Sequence, residues 1–193
     1  MDGITVHAKW QTAEIRELTA KLQAPRLNQA LSVAVNDSAR QVERAAERLI
    51  AKTLSIPAAR AKTGVWVRPF STPATLSATV RGSKSPIPLK VFAAKEAAKG
   101  VSARIWGRRT IYPGAFIMGG NFPNRVALGM GGNVMKRVGK SRLPITKVPG
   151  AAIAEAMVND AVSSALVAQS QERIIANVRR QLDRYTRARG KRG

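Results

Sequence analysis

Glu47–Arg68 reads ERLIAKTLSIPAARAKTGVWVR, and within it the chain changes its hydrophobic period. Up to Leu54 apolar residues recur three and four apart, the spacing that lines one face of an α-helix. Ser55-Ile56-Pro57 ends that helix and restarts a short turn, with Ser55 as cap and Pro57 near the first helical position. After Gly64 the period becomes two: Val65 and Val67 alternate with Trp66 and Arg68, the mark of a half-buried strand. One junction between the two periods fixes the class as α+β.

Upstream of the junction the helix is predicted from Arg26 to Leu54. Leu27, Leu31, Val35, Val42, Ala46, Leu49 and Ile50 form its stripe, and Asp37, Arg40, Glu43, Arg44, Glu47 and Arg48 stand on the faces between. About thirty residues at ~1.5 Å each span roughly 45 Å. Before it, Gln11–Gln23 is a shorter amphipathic segment carrying Ile15, Leu18 and Leu22, and Pro25 suits the first turn of the long helix. Residues 1–10 form an N-terminal arm or, through Ile4 and Val6, a short strand.

Downstream, Leu76–Arg81 and Val101–Trp106 alternate in the same way, which predicts antiparallel strands with one buried and one basic face. Pro86 and Pro88 place a Leu89–Phe92 strand at an edge or just after a turn. Residues 118–133 are rich in Gly and Asn and read as a long loop. Helical spacing returns after Pro149-Gly150: Ile153, Met157, Ala161 and Ala165, then Ile174, Val178, Leu182 and Tyr185, with a kink or phase shift at Gln169–Arg173. Arg187–Gly193 is a basic tail expected to be disordered. The expected architecture is a single domain over residues 1–193, its long N-terminal helix and C-terminal helices packed on a small antiparallel sheet.

Charge is distributed unevenly over this plan. Residues 61–150 hold sixteen Lys or Arg against one acid, Glu96, while the flanks are much more balanced; the whole chain carries +22. A surface of one sign calls for an anionic neighbour, either a polyanion or an acidic protein. The bases that cluster are Arg104, Arg108 and Arg109, then Lys136, Arg137, Lys140 and Arg142, and these are the candidate DNA-binding residues. With no zinc finger, recognition-helix module or stacking platform in the sequence, contact is expected with phosphates, which position without specifying.

Catalytic chemistry finds little support. Cysteine is absent, which removes disulfides, thiolate metal sites and a Cys nucleophile, and His7 is the one histidine. Gly139-Lys140-Ser141 matches the end of a phosphate-binding loop, but Val134 stands where its first glycine belongs and Leu143-Pro144 opposes a following helix. Gly129-Met130-Gly131 is half a dinucleotide fingerprint without its third glycine. The expectation is no enzyme, no cofactor and no metal. No apolar run is long enough to span a bilayer, and the start lacks a signal-peptide layout, so a soluble protein retained where it is made is expected.

Gly100–Ile117, GVSARIWGRRTIYPGAFI, together with Gly139–Ile145, GKSRLPI, resembles the phage minor tail protein Z family. Ala24–Lys62 is similar to that family's long helix and following turn, and Pro86–Phe92, PIPLKVF, also matches. The motif positions are Tyr112, Pro113, Gly114, Phe116, Gly139, Leu143 and Pro144, and they read as folding devices: a tight turn before a buried strand, and an extended edge before the last helices. Gly119–Val134 is richer in glycine than the family pattern.

The resemblance implies a structural virion protein that completes the head-proximal end of a phage tail, supports head–tail joining and positions DNA in the tail channel. It also implies a homo-oligomeric ring, of six copies by the symmetry of the tail tube. Implied partners are the tail terminator, the tail tube, the tape measure and the DNA phosphate backbone, with no membrane. The implied location is the virion tail after assembly in the host cytoplasm. From the residues alone, the helices present more apolar surface than a small sheet covers, which again suggests neighbouring copies. The alternative is a free, sequence-nonspecific nucleic-acid-binding protein.

Overall fold

A computed structural model describes residues 26–121 and 123–190, the side chains of 186–190 excepted. The arm at residues 1–10, His7, the segment Gln11–Gln23 and Pro25 lie outside the described residues. The fold is α+β, with long helices near both ends of the described chain and several small antiparallel sheets between them. Contacts gather into two compact units, each drawn from segments distant in sequence. The helical unit takes residues 26–47, 65–82 and 157–190; the sheet unit takes 48–64 and 83–156. A length compatible with one domain does not reveal this division.

Helix α1 (Arg26–Leu54) supplies about its first three quarters, as far as Glu47, to the helical unit. Its fully buried row there is Ala30, Ala34, Ser38, Val42 and Ala46, one residue per turn and mostly small. The larger Leu27, Leu31 and Val35 flank that row, half-buried, and pack on a cluster of Ala34 with Ile174, Val178 and Leu182. Those three lie on the last helix, α4 (Asp160–Gly190), four residues apart. Two buried polar side chains meet at the seam: Asn177 Nδ2 donates to Ser38 Oγ (2.8 Å), and Ser38 Oγ donates back to Ala34 O (2.7 Å). Each is satisfied, so the small-residue row carries no stranded polar group.

The junction after Gly64 folds as its period demands. Strand β1 (Val65–Val67) buries both valines and leaves Trp66 half-buried, pairing antiparallel with β2 (Val80–Gly82). The strand expected over Leu76–Arg81 is shorter, because Thr72 and Thr75 close a turn through their hydroxyls and Leu76 sits at φ 45°. Asn36 on α1 grips the start of that loop, donating to Ser71 O (2.9 Å) and accepting from Ser71 N–H (2.7 Å).

The Val67 backbone N–H and the charges of Arg40 and Arg44 favour the ionised form of Glu43 on α1, yet burial, with the charge of Glu47 added, raises its pKa above the ordinary 4.5. A raised folded-state value means the folded protein holds the proton more tightly than the unfolded chain. Glu43 therefore favours folding most at low pH and loses that contribution as pH rises from 4.5 through the raised value. Glu43→Gln keeps an acceptor for Val67 and removes the titration. Urea melts on both sides of that window should show the variant gaining on wild type as pH rises; a constant difference would count against this account.

Between the helices, most strands are two to four residues long, and only β5 (Gly100–Ile105) and β6 (Arg108–Pro113) reach six. One expected sheet is instead a set of small ones, because Gly, Pro and residues at positive φ interrupt pairing repeatedly. In the sheet unit, β4 (Lys95–Ala97), β5 and β6 form one sheet in that order. A second has the order β11 (Ile145–Lys147), β10 (Met135–Arg137), β7 (Ala115–Phe116). Strand β3 (Pro86–Pro88) pairs with β12 (Pro149–Ala152), and β8 (Met118–Gly119) with β9 (Val126–Ala127). The last pair lies inside the stretch expected to be loop throughout.

The strand expected at Leu89–Phe92 is a 3₁₀ turn over Leu89–Val91, following β3, with Leu89 and Phe92 buried. The prolines occupy β3 itself, a strand with a single partner, where a missing N–H is tolerated. The short turn expected after Ser55 is present as the helix α2 (Ala58–Lys62), but Ser55 is not its cap: Pro57 holds that position with no side-chain hydrogen bond, and Ser55, at φ 58°, closes the end of α1 through its N–H to Lys52 O.

The final helices differ from the reading in where they break. Helix α3 (Ile153–Val158) stops at Asn159, and α4 then runs without interruption through Gln169–Arg173 to Gly190. The break shifts the buried stripe by one residue, so Val162 and Leu166 are buried while Ala161 is exposed. Gln169 and Gln171–Arg173 are exposed, and the polar run marks a solvated stretch of one helix. The tail expected from Arg187 is helical backbone as far as Gly190, and 191–193 lie outside the described residues.

Candidate nucleic-acid interface

The basic residues of the sheet unit are placed by two hairpins. The first joins β5 to β6 through Trp106-Gly107, whose φ values of 54° and 74° are those of a two-residue turn matching strand twist. Glycine meets that requirement without strain; Trp106 does not, and a bulky residue at positive φ is uncommon. Trp106 is 39% exposed at the tip.

Register then decides which face each base takes. Arg104 lies directly opposite Arg109, and Ser102, one pair further along that face, lies opposite Lys95 on β4. Lys95, Arg104 and Arg109 thus share the exposed face of the three-stranded sheet, while Val101 and Ala103 bury the other. Arg108, next in sequence to Arg109, projects on the opposite side. The grouping of Arg104, Arg108 and Arg109 as one surface is corrected accordingly.

Like charges directly opposite on adjacent strands repel. Here the two guanidinium groups are held by neutral acceptors: Arg104 Nε donates to Gly107 O (3.2 Å) and Arg109 Nη1 to Ser102 Oγ (2.9 Å). Among the described residues no carboxylate pairs with either. The sheet's acid, Glu96, belongs to the opposite face, where it accepts from the N–H groups of Ile117 and Met118 (2.8 Å to the latter) and pairs with Arg125. An anion placed between Arg104 and Arg109 would relieve their repulsion.

The second hairpin joins β10 to β11 through an exposed loop. Val138 N–H bonds to Pro144 O across its base, and Gly139, Lys140, Ser141, Arg142 and Leu143 make up its tip. A strand follows it, so Gly139-Lys140-Ser141 does not open a helix as a phosphate-binding loop would. Within β10, Lys136 and Arg137 alternate and point to opposite faces. Arg137 and Arg142 line an open cleft of about 720 Å³ together with Gly100, Phe116, Leu143 and Ile145.

The seven predicted bases therefore do not form one patch. Gly100 sits at the cleft end of the β5–β6 ladder and Arg104 and Arg109 near the other, roughly 13 Å along the strands. The motif residues divide likewise. Gly114, at φ 70°, turns the chain from Tyr112-Pro113 at the end of β6 into β7, and both Phe116 and Leu143 line the cleft. Leu143 is 67% exposed, so it is no core residue, and Pro144 leads into β11.

The role of Glu96 and the position of Trp106 were not read from the sequence. Glu96 offered a signal, as the lone acid among sixteen bases; the turn offered Gly107 between two alternating runs. Among the described residues no group of three or more His, Cys, Asp or Glu is placed to hold a metal ion, and no helix is long and apolar enough to cross a membrane. No protein-family model, curated protein or solved structure matches the chain.

Proposed function

We propose that this protein is a non-enzymatic structural component of a long-tailed phage particle. It completes the head-proximal end of the tail, supports joining to the head, and holds DNA by its phosphates in the tail channel. The observation that carries the DNA contact is the cross-strand Arg104–Arg109 pair, with Lys95 on the same exposed face and, among the described residues, no carboxylate partner for the two guanidinium groups. The particle reading rests on the resemblance of Gly100–Ile117 and Gly139–Ile145 to minor tail protein Z. In this reading copies assemble into a ring, of six by the tube's symmetry, beside the tail terminator, tube and tape measure, in the virion after assembly in host cytoplasm.

A phosphate-directed face binds DNA without sequence preference and releases condensed counterions, with a log–log salt slope of roughly −0.9 per contact. Arg104→Ala/Arg109→Ala is expected to flatten that slope by up to about two, leaving the fold intact. Phage carrying the double variant should assemble tails but retain or position the DNA end poorly. Unchanged DNA affinity together with failed head joining would assign the face to an acidic ring protein instead. The same charged face would serve a free nucleic-acid-binding protein; co-purification with ribosomes or nucleoid rather than with tails would favour that second reading.

A further inference from the structure

The cleft between the two hairpin systems has a chemistry different from the Arg104–Arg109 face. Its cations are Lys99, Arg137 and Arg142, with Arg125 held by Glu96, and among the described residues no Asp or Glu lines it. Its apolar lining includes Met118, Leu128 and Leu143, which are 37%, 38% and 67% exposed. Four glycines, Gly100, Gly114, Gly119 and Gly120, also line it, and at Gly114 nothing lies within 4 Å of the position a Cβ would take, so incoming backbone can approach closely there. Cations interleaved with exposed aliphatic and thioether groups fit neither water nor a phosphate backbone alone.

We infer that this cleft docks an extended segment of a partner protein in which acidic residues alternate with aliphatic ones. Acidic side chains of such a segment would meet Lys99, Arg137 and Arg142, and aliphatic ones Met118, Leu128 and Leu143. The volume of about 720 Å³ suits a few side chains and excludes a duplex. Single-stranded nucleic acid is held by successive stacked bases, and among the described residues that line the cleft one side chain is aromatic, the half-buried Phe116. Methionine adds an adaptable wall, as at peptide-binding surfaces elsewhere. This site goes beyond the DNA-contacting role and does not depend on it.

The probe is a fluorescently labelled peptide alternating Glu with Leu, read by anisotropy on the full chain, with a Lys–Leu peptide and a DNA duplex as controls. Wild type should bind the Glu–Leu peptide and not the Lys–Leu peptide. Arg137→Glu/Arg142→Glu and, separately, Leu128→Asp/Leu143→Asp should each weaken binding by about tenfold or more. Circular dichroism verifies folding, and Lys99→Glu, at an exposed position beside β5, reads the charge requirement if the Arg pair proves unstable. Arg104→Ala/Arg109→Ala should leave peptide binding unchanged while altering DNA binding, which separates failure of this inference from failure of the DNA reading. Equal binding of the two peptides, indifference to the Leu128/Leu143 change, or stoichiometric displacement of the peptide by duplex would overturn it.

Discussion

Glu96→Ala is expected to lower the unfolding free energy by about 3–5 kcal/mol, the loss typical when one partner of a buried ion pair is removed. The Glu96 and Arg125 side chains are only 9% and 15% exposed, so neither charge is well solvated. One carboxylate oxygen accepts from the N–H groups of Ile117 and Met118, and the other meets Arg125. A single side chain on β4 thereby ties together β8, the residue before it and the Arg125 loop, which a two-residue strand pair would not hold alone. Alanine removes the acceptor of both N–H groups and the counter-charge of Arg125 together. Glu96→Gln keeps an acceptor oxygen and loses the charge, so its cost should fall between wild type and alanine. Denaturant melts of the three proteins decide it; an alanine variant within about 0.5 kcal/mol of wild type would sink the account, since that is the range of an ordinary surface change.

Legibility in this chain follows the length over which a pattern repeats. Helix α1 was readable because its period persists through 29 residues, and β1 because Val65-Trp66-Val67 stands directly after a glycine. The Gln169–Arg173 run misled because a polar stretch looks the same whether a helix breaks there or simply turns outward. The true break at Asn159 shows itself only in which residues are buried, Val162 and Leu166 in place of Ala161. Leu89–Phe92 alternates like a strand, yet its backbone turns so that Leu89 and Phe92 both reach the interior.

The site was legible in composition and illegible in direction. Clustering of the bases is a linear property, but facing depends on where the hairpin turns. Once Trp106-Gly107 is known to be the turn, the separation of Arg108 from Arg109 follows from period two alone. The cleft is different in kind. It brings Lys99, Arg125 and Arg142 together from three loops, and no local pattern encodes such a meeting. Glu96 joins residues 21 to 29 positions away, so its role is likewise one of long-range closure.

The second large effect is expected at Phe92, the largest fully buried side chain of the described chain. Phe92→Ala should cost about 3–5 kcal/mol, from lost transfer energy and the cavity left behind. Its ring lies against Gly150 in β12, where an added Cβ would collide with the ring edge and stand 3.0 Å from Ile87 O. Gly150→Ala in wild type is therefore an overpacking change, expected to cost about 1–3 kcal/mol. With the ring removed, only the Ile87 contact resists the new methyl group, which also fills part of the cavity. The double variant should then be more stable than the sum of the two single losses implies, a coupling measurable in a double-mutant cycle. Gly139→Ala supplies the control, because nothing lies within 4 Å of the position its Cβ would take and its change should stay within about 0.5 kcal/mol. Strict additivity of the Phe92 and Gly150 losses would show that the ring does not press on β12, and the packing of β3 against β12 would then need another explanation than the absence of a side chain at residue 150.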